Sequence, residues 1–367
     1  RSSVREFLCS EAMFHLGVAT TRALSLSLTG DNVVRDMFYD GHAKAEPGAV
    51  VCRVSSSFIR FGSFQLPSSR KDLSLLTQLV DYVIERDFPH LGAPSAETYL
   101  AWFNEVCDRT CKLMVDWMRV GFVHGVMNTD NMSIIGETID YGPYGWIGVQ
   151  AEIAQWNLFQ LANAIFPLIN DAEPLENALN KFSENYQQQW QKMMAAKLGI
   201  ELSSAKPSEG ANKEELSLFF DLEKILMMIE TDMTIFYRRL ADLPDDNSLW
   251  LSHLMVCFYN ENEITTEYKA SLTSWLERYI QLRNNGARTR VDIREAMNKV
   301  NPKYVLRNYL AQQAIELAEK QDYSLLQQLQ KVLTNPYDEQ PAFEKFAEKR
   351  PEWARHKAGC SMLSCSS

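Results

Sequence analysis

Four side chains between residues 124 and 140 have the types and spacing to hold a metal–nucleotide complex: His124, Asp130, Asn131 and Asp140. Asn131 follows His124 by seven residues, and the triplet Asp140-Tyr141-Gly142 begins nine residues later. Amide and carboxylate oxygens are hard donors of the kind Mg2+ prefers. An Asn and an Asp on adjacent turns can share one ion that also grips phosphate oxygens. Chemistry at phosphorus relies on that arrangement.

The spacing fits the phosphotransferase template H-x-D-x-x-x-x-N followed by Asp-x-Gly. It departs at one position. Where the template keeps its proton-accepting Asp, this sequence has Val126. Valine cannot take a proton, and general base catalysis is worth roughly 10²–10⁴-fold. Asp130, directly before Asn131, is a carboxylate that could serve from a different direction. Taken singly, the Asp-Asn pair and Asp-Tyr-Gly-Pro are ordinary turn chemistry. In this order they read as a nucleotide site.

The flanking elements must present these groups. Residues 3–16 carry apolar side chains at helical spacing, and "TTRALSLSLTG" alternates like a strand. The segment 48–64 reads as a strand followed by a turn at Gly62. Helices are expected over 70–88 and 95–120, the second capped by Ser95. "MSII" and "ETID" around Gly136-Glu137 predict a hairpin that brings Asn131 and Asp140 together. Beyond residue 151 the chain reads as helical to about residue 348, with an exposed loop over 203–215. The order is α+β, a mixed front and a helical back.

Composition sets the outer bounds. The chain has 367 residues, 46% apolar and 23% charged, as in ordinary globular proteins. A net charge of −10 argues against nonspecific binding to nucleic acid or an anionic membrane. No apolar run is long enough for a transmembrane helix. Seven Cys without a pairing pattern fit a reducing compartment. Cys107 and Cys111 share a helix face and read as buried thiols, and "LFFDLEKILMMI" reads as core packing. Cys360 and Cys365 fall in a small, polar tail where an exposed thiol can be oxidised.

Longer stretches carry a more specific signal. "RSSVREFLCSEAM", "EPGAVVCRVSSSFIRFGSF", "HGVMNTDNMSIIGETIDYGPYGW", "IAQWNLFQLANAI" and the closing Cys365-Ser366-Ser367 resemble the selenoprotein O family. The resemblance runs from the first residue to the last. It implies a protein-kinase-like, two-lobed fold that binds ATP in a flipped orientation. It also implies transfer of AMP to Ser, Thr or Tyr hydroxyls of proteins. Asp130 becomes the proton acceptor, and Asn131 and Asp140 the ligands of Mg2+ or Mn2+. Glu6 matches a helix glutamate that pairs with a nucleotide-binding lysine, although spacing alone makes it an exposed helix carboxylate. Arg53 and Arg60 match arginines on the nucleotide phosphates, a role suited to bidentate guanidinium groups. A redox partner for Cys365 is implied as well.

The implied division is 1–68 as the remainder of a nucleotide-binding lobe, 69–350 as a helical catalytic lobe, and 351–367 as a tail. Two departures from the family pattern stand out. The family's Gly-rich loop, Lys and Gly-Asp-Gly element are expected before "RSSVREF", and without the Lys, Glu6 has no partner. Little activity is expected from residues 1–367 alone. Only "IGVQAEIA" separates Trp146 from Gln155, shorter than the family's usual segment. Two rivals remain: a kinase-type phosphotransferase, disfavoured by Val126, and a nucleotide-binding pseudokinase scaffold, disfavoured by the intact Asn131 and Asp140. A bacterial cytoplasmic location is expected, ahead of a mitochondrial one.

Overall fold

The computed structural model describes all residues except 37–40, 142–149, 204–209, 358 and 361–367. The front of the chain is α1 (Ser2–His15) followed by strands β1 (Arg22–Arg35) and β2 (Lys44–Val54). The strands pair antiparallel, with Arg22 opposite Val54 and Arg35 opposite Lys44. Gly30 takes a positive φ of 86° where the register shifts between Leu28 and Asn32. An L side chain disfavours that backbone conformation, and glycine adopts it freely.

Helices follow: α2 (Phe61–Ser69), α3 (Leu73–Asp87), α4 (Ala96–Val120), α5 (Gln150–Ile169), α6 (Glu173–Leu198) and α7 (Lys213–Met228). The series continues with α8 (Met233–Ala241), α9 (Trp250–Leu254), α10 (Thr266–Arg283), α11 (Arg290–Val300), α12 (Asn308–Ala318) and α13 (Ser324–Leu333). The fold is therefore mixed α/β and mostly helical, with one two-stranded sheet among the described residues. Among those residues no helix is long and apolar enough to cross a membrane.

Local chemistry explains the boundaries. The Ser95 hydroxyl accepts from the Thr98 N–H at 3.2 Å and starts α4. Gly121 ends it in the left-handed region, with its N–H and that of Phe122 turned back to Met118 and Trp117. Of the polar loop expected over 203–215, residues 204–209 lie outside the described residues, and its end is helical because α7 starts at Lys213. Asn212 caps α7, and the buried Glu215 carboxylate accepts from Ser203 and from the Asn212 N–H. A capping box overrode the polar composition there.

Three apolar cores hold the elements together. The first packs α2, α3, α4 and α5 around Trp102, Trp117 and Phe64, all essentially inaccessible. Each large apolar side chain so buried stabilises the fold by about 1.5–3 kcal/mol. The second lies among α6 to α11, around Trp275 and Tyr279. The third joins Val4, Leu8 and Ala12 of α1 to α12 and α13. Cys9, Met13 and Leu16 at the other side of α1 enter the first core. One helix is thus fixed by two cores.

Several expectations change. Residues 61–69 form α2, so Gly62 sits inside a first helical turn rather than in a turn after a strand. The expected hairpin is reduced to an isolated bridge between Met132 and Thr138. Phe219, Leu222 and Ile225 of α7 are core, but Phe220, Met227 and Met228 are exposed.

Candidate active site

The loop after α4 is closed by its own polar groups. His124 is buried, stacked on Trp117 with centroids 5.5 Å apart and edge-on to Phe122. Its Nδ1 accepts from the Val126 N–H at 3.1 Å, so the ring proton belongs on Nε2. Burial lowers the His124 pKa and the nearby Asp140 carboxylate opposes that shift. The Val126 carbonyl accepts from Asn131 Nδ2 at 2.8 Å. Position 126 therefore serves the loop through both of its main-chain groups. The Asn128 side chain accepts from the Asp130 N–H at 3.0 Å, an Asx turn that presents Asp130 at the surface.

Beyond Asn131 the chain turns at Gly136, where φ is +75°. A Cβ there would lie 2.8 Å from Arg109 Cβ and 3.3 Å from its backbone. The bridge from Met132 to Thr138 then brings the two arms of the turn together. Thr138 is held from three sides. Trp117 Nε1 donates to its hydroxyl at 2.8 Å, its own N–H reaches the Ala19 carbonyl at 2.9 Å, and its carbonyl accepts from the Thr21 N–H at 3.2 Å. Tyr141 is fully buried, with its hydroxyl on Thr20 Oγ1. Asp140 is held on this strut between α4 and the entry to β1.

Glu6 meets it from α1. Its carboxylate accepts from Arg53 of β2 at 2.5 Å and from the Tyr141 N–H at 3.3 Å. Burial pushes the Glu6 pKa up to about 7; Arg53 opposes the shift and the Asp140 carboxylate adds to it. The side chain is only 18% exposed. Glu6 is thus neither an exposed helix carboxylate nor without a partner, because Arg53 pairs with it.

Arg60 precedes α2 and bridges Ser133 across the loop, with the Phe61 N–H on the Met132 carbonyl at 3.0 Å. Among the described residues its guanidinium forms no ion pair. Asp130 lies against Gly62 of α2. The sequence reading missed α2 as a neighbour of the loop. "RFGSF" gave no signal for it, since Gly62 and Pro67 both weaken a helical pattern.

The donor set suits a divalent cation. Asn131 uses its amide nitrogen within the loop, and its Oδ1 takes no hydrogen bond among the described residues. The carboxyl groups of Asp140 and Glu6 lie within hydrogen-bond reach of each other, and Asp140 favours the protonated form of Glu6. Among the described residues no group of three or more His, Cys, Asp and Glu is arranged for a metal. An ion here would draw further oxygens from phosphate and water, as Mg2+ commonly does.

The thiols divide differently from expectation. Cys107 and Cys111 are buried, with pKa values raised by burial. Cys360 is also buried, packed with α1 and α12 in the third core rather than exposed in a tail. Beside it, Arg5 donates to the Gly359 carbonyl and to Gln312. Cys365 lies outside the described residues.

Comparison with known proteins bears on the whole chain. The family model described as protein adenylyltransferase SelO matches residues 1–334. The protein nucleotidyltransferase YdiU of Rhodopirellula baltica is 51% identical, over all of this chain and 74% of its own length. The proteins of that name from Aromatoleum aromaticum and Tolumonas auensis are each 51% identical, over 100% of this chain and 72% and 73% of theirs. The first alignment spans 405 positions against 367 residues here, so that relative carries at least 38 positions this chain lacks. With a family match over most of its residues and relatives identical at half their aligned positions, the chain belongs to the protein adenylyltransferase SelO family.

Proposed function

We propose that this chain carries the nucleotide site of a protein adenylyltransferase with a protein-kinase-like fold. It transfers AMP from ATP to Ser, Thr or Tyr hydroxyls of protein substrates. Residues 1–68 serve as part of a nucleotide-binding lobe and 69–350 as the catalytic lobe, with Ala354 and Cys360 of the closing 351–367 segment packed into the third core. The observation that carries this reading is the convergence at Glu6. α1, β2 and the 140–141 segment meet there, joined through Thr138 and Trp117 to the helix that leads into the loop.

Arg53 and Arg60 bind the ATP phosphates. The contact to Glu6 uses one Arg53 nitrogen and leaves other N–H groups for phosphate oxygens. Asn131 Oδ1 and the Asp140 carboxylate would hold Mg2+ or Mn2+, which neutralises phosphate charge when bound. The acceptor hydroxyl attacks the α-phosphorus of ATP. A new O–P bond forms as the bond from the α-phosphorus to the α,β-bridging oxygen breaks, and pyrophosphate leaves with the electron pair. Asp130 accepts the hydroxyl proton. Val126 fits this scheme because no base is required at that position.

The test is ATP labelled at either the α- or the γ-phosphate, supplied to the full-length protein with a protein acceptor. Protein-bound label from the α-phosphate alone is expected. Label from the γ-phosphate alone would establish phosphotransfer instead. No label from either would leave a nucleotide-binding scaffold.

A further inference from the structure

Gly62, the second residue of α2, approaches the Asp130 carboxylate closely. A Cβ at position 62 would lie 2.1 Å from Asp130 Oδ1 and 3.2 Å from its Cγ. The Gly62 φ is not in the left-handed region, so backbone conformation does not demand glycine there. Its N–H donates to the Thr129 carbonyl at 2.9 Å. One turn further, Gln65 Oε1 accepts from the Thr129 hydroxyl at 2.6 Å. Gln65 Nε2 in turn donates to Gln160 Oε1 of α5 at 3.4 Å.

Asp130 needs such support. Its carboxylate has no hydrogen bond or ion pair among the described residues, and the side chain is exposed. Exposed side chains change rotamer within about picoseconds to nanoseconds. The steric wall at Gly62 and the anchored Thr129 narrow the positions this carboxylate can take.

We propose that Gly62 and Gln65 are positioning residues for Asp130. Gly62 leaves the space the carboxylate occupies, and Gln65 fixes the preceding residue so that the carboxylate stays there. The proposal rests on reading Asp130 as the proton acceptor. Misplacing a catalytic group by about 1 Å can cost on the order of 10²-fold in rate. The neighbour that an added Cβ would meet is a short, exposed side chain, so it moves without unfolding α2.

The experiment measures kcat and KM for ATP in the full-length protein carrying Gly62→Ala, Gln65→Ala, Asp130→Ala and the Gly62→Ala/Asp130→Ala pair. Gly62→Ala is expected to lower kcat by about ten- to a hundredfold and to leave KM for ATP within about twofold. Its melting temperature should stay level or rise, because alanine is the better helix former. Gln65→Ala should lower kcat in the same direction, and it adds no atom, so it carries the test should Gly62→Ala fail to fold. In the Asp130→Ala background, Gly62→Ala should cost nothing further, since both changes act through one group. Wild-type kcat in both single variants, beside a large loss in Asp130→Ala, would overturn the positioning role alone. A further multiplicative loss in the pair would do the same. Wild-type kcat in Asp130→Ala would overturn the base assignment, and the positioning role with it.

Discussion

Two carboxylates, Glu6 and Asp140, face one another beside a single arginine. Burial favours the protonated form of Glu6, and Asp140 adds to this both as a neighbouring charge and as a hydrogen-bond partner. Asp140→Ala should therefore separate stability from activity. AMP transfer is expected to fall by about a hundredfold or more, because the charge opposite the phosphates is lost. The thermal midpoint is expected to stay within a few degrees of the parent's, because Asp140 acts on Glu6 both as a neighbouring charge and as a hydrogen-bond partner, and the two effects on stability oppose each other. Labelling assays beside a melting curve read both quantities. Retained transfer would sink the ligand role. At this scale the sequence singled out His124, Asn131 and Asp140 by a spacing tied to a known chemistry, and the structure adds how each is held. The sequence singled out Glu6 only through the family resemblance and did not indicate Arg53 as its partner. That partner comes from β2, 47 residues away, and nothing local points to it.

Elements decide how firmly those residues are held. Trp117 of α4 reaches Thr138 through its indole N–H, so the helix that precedes the loop also fixes the segment that follows it. The turn between them depends on Gly136. Its positive φ and the 2.8 Å approach to Arg109 Cβ leave no room for a side chain against a rigid helix. Gly136→Ala is expected to destabilise the protein by about 1–3 kcal/mol. Activity should fall with it, because Asp140 lies at the end of that turn. Urea unfolding measures the first and the labelling assay the second, and an unchanged urea midpoint would refute the account. The contrast with Gly62 is physical. At Gly62 the obstacle is the end of one short side chain, whereas at Gly136 it is the Arg109 Cβ, with the helix backbone just behind it.

At the scale of the whole molecule, buried polar ties link the helical cores. Arg307 pairs with the buried Asp232, which caps α8 and also accepts from Tyr259 at 3.0 Å. Lys197, near the end of α6, donates to the Arg119 carbonyl at 2.7 Å and lies over the Tyr237 ring. Burial pulls its pKa down from 10.5 to about 7, and neighbouring Arg119 adds to the shift. Between those values the unfolded chain binds more protons than the folded one, so this group makes stability rise with pH. Below about pH 7 its burial penalty is at its full value. Unfolding free energies from urea titrations at pH 7, 8 and 9 should climb in the parent relative to Lys197→Met, by up to about 1.4 kcal/mol per pH unit. Parallel pH dependences would contradict the burial.

The sequence by itself determined the helical back, the two strand-like segments, the capped start of α4 and the order of chemical groups from His124 to Asp140, while the antiparallel pairing came from the structure. Those features rest on periodicity, capping and turn residues, which act over a few positions. Only the tertiary structure decided that Arg53 answers Glu6, that Cys360 is buried with α1, and that α2 is a helix seated on the loop at Thr129 and Asp130. Each of these depends on a neighbour distant in sequence, and α2 in addition contains Gly62 and Pro67, which local propensity counts against it. The expected hairpin shrank to one bridge for a related reason. Residues 138–141 satisfy their main-chain and side-chain groups against Ala19, Thr20, Thr21 and Glu6, so they have little left to pair with the strand before them.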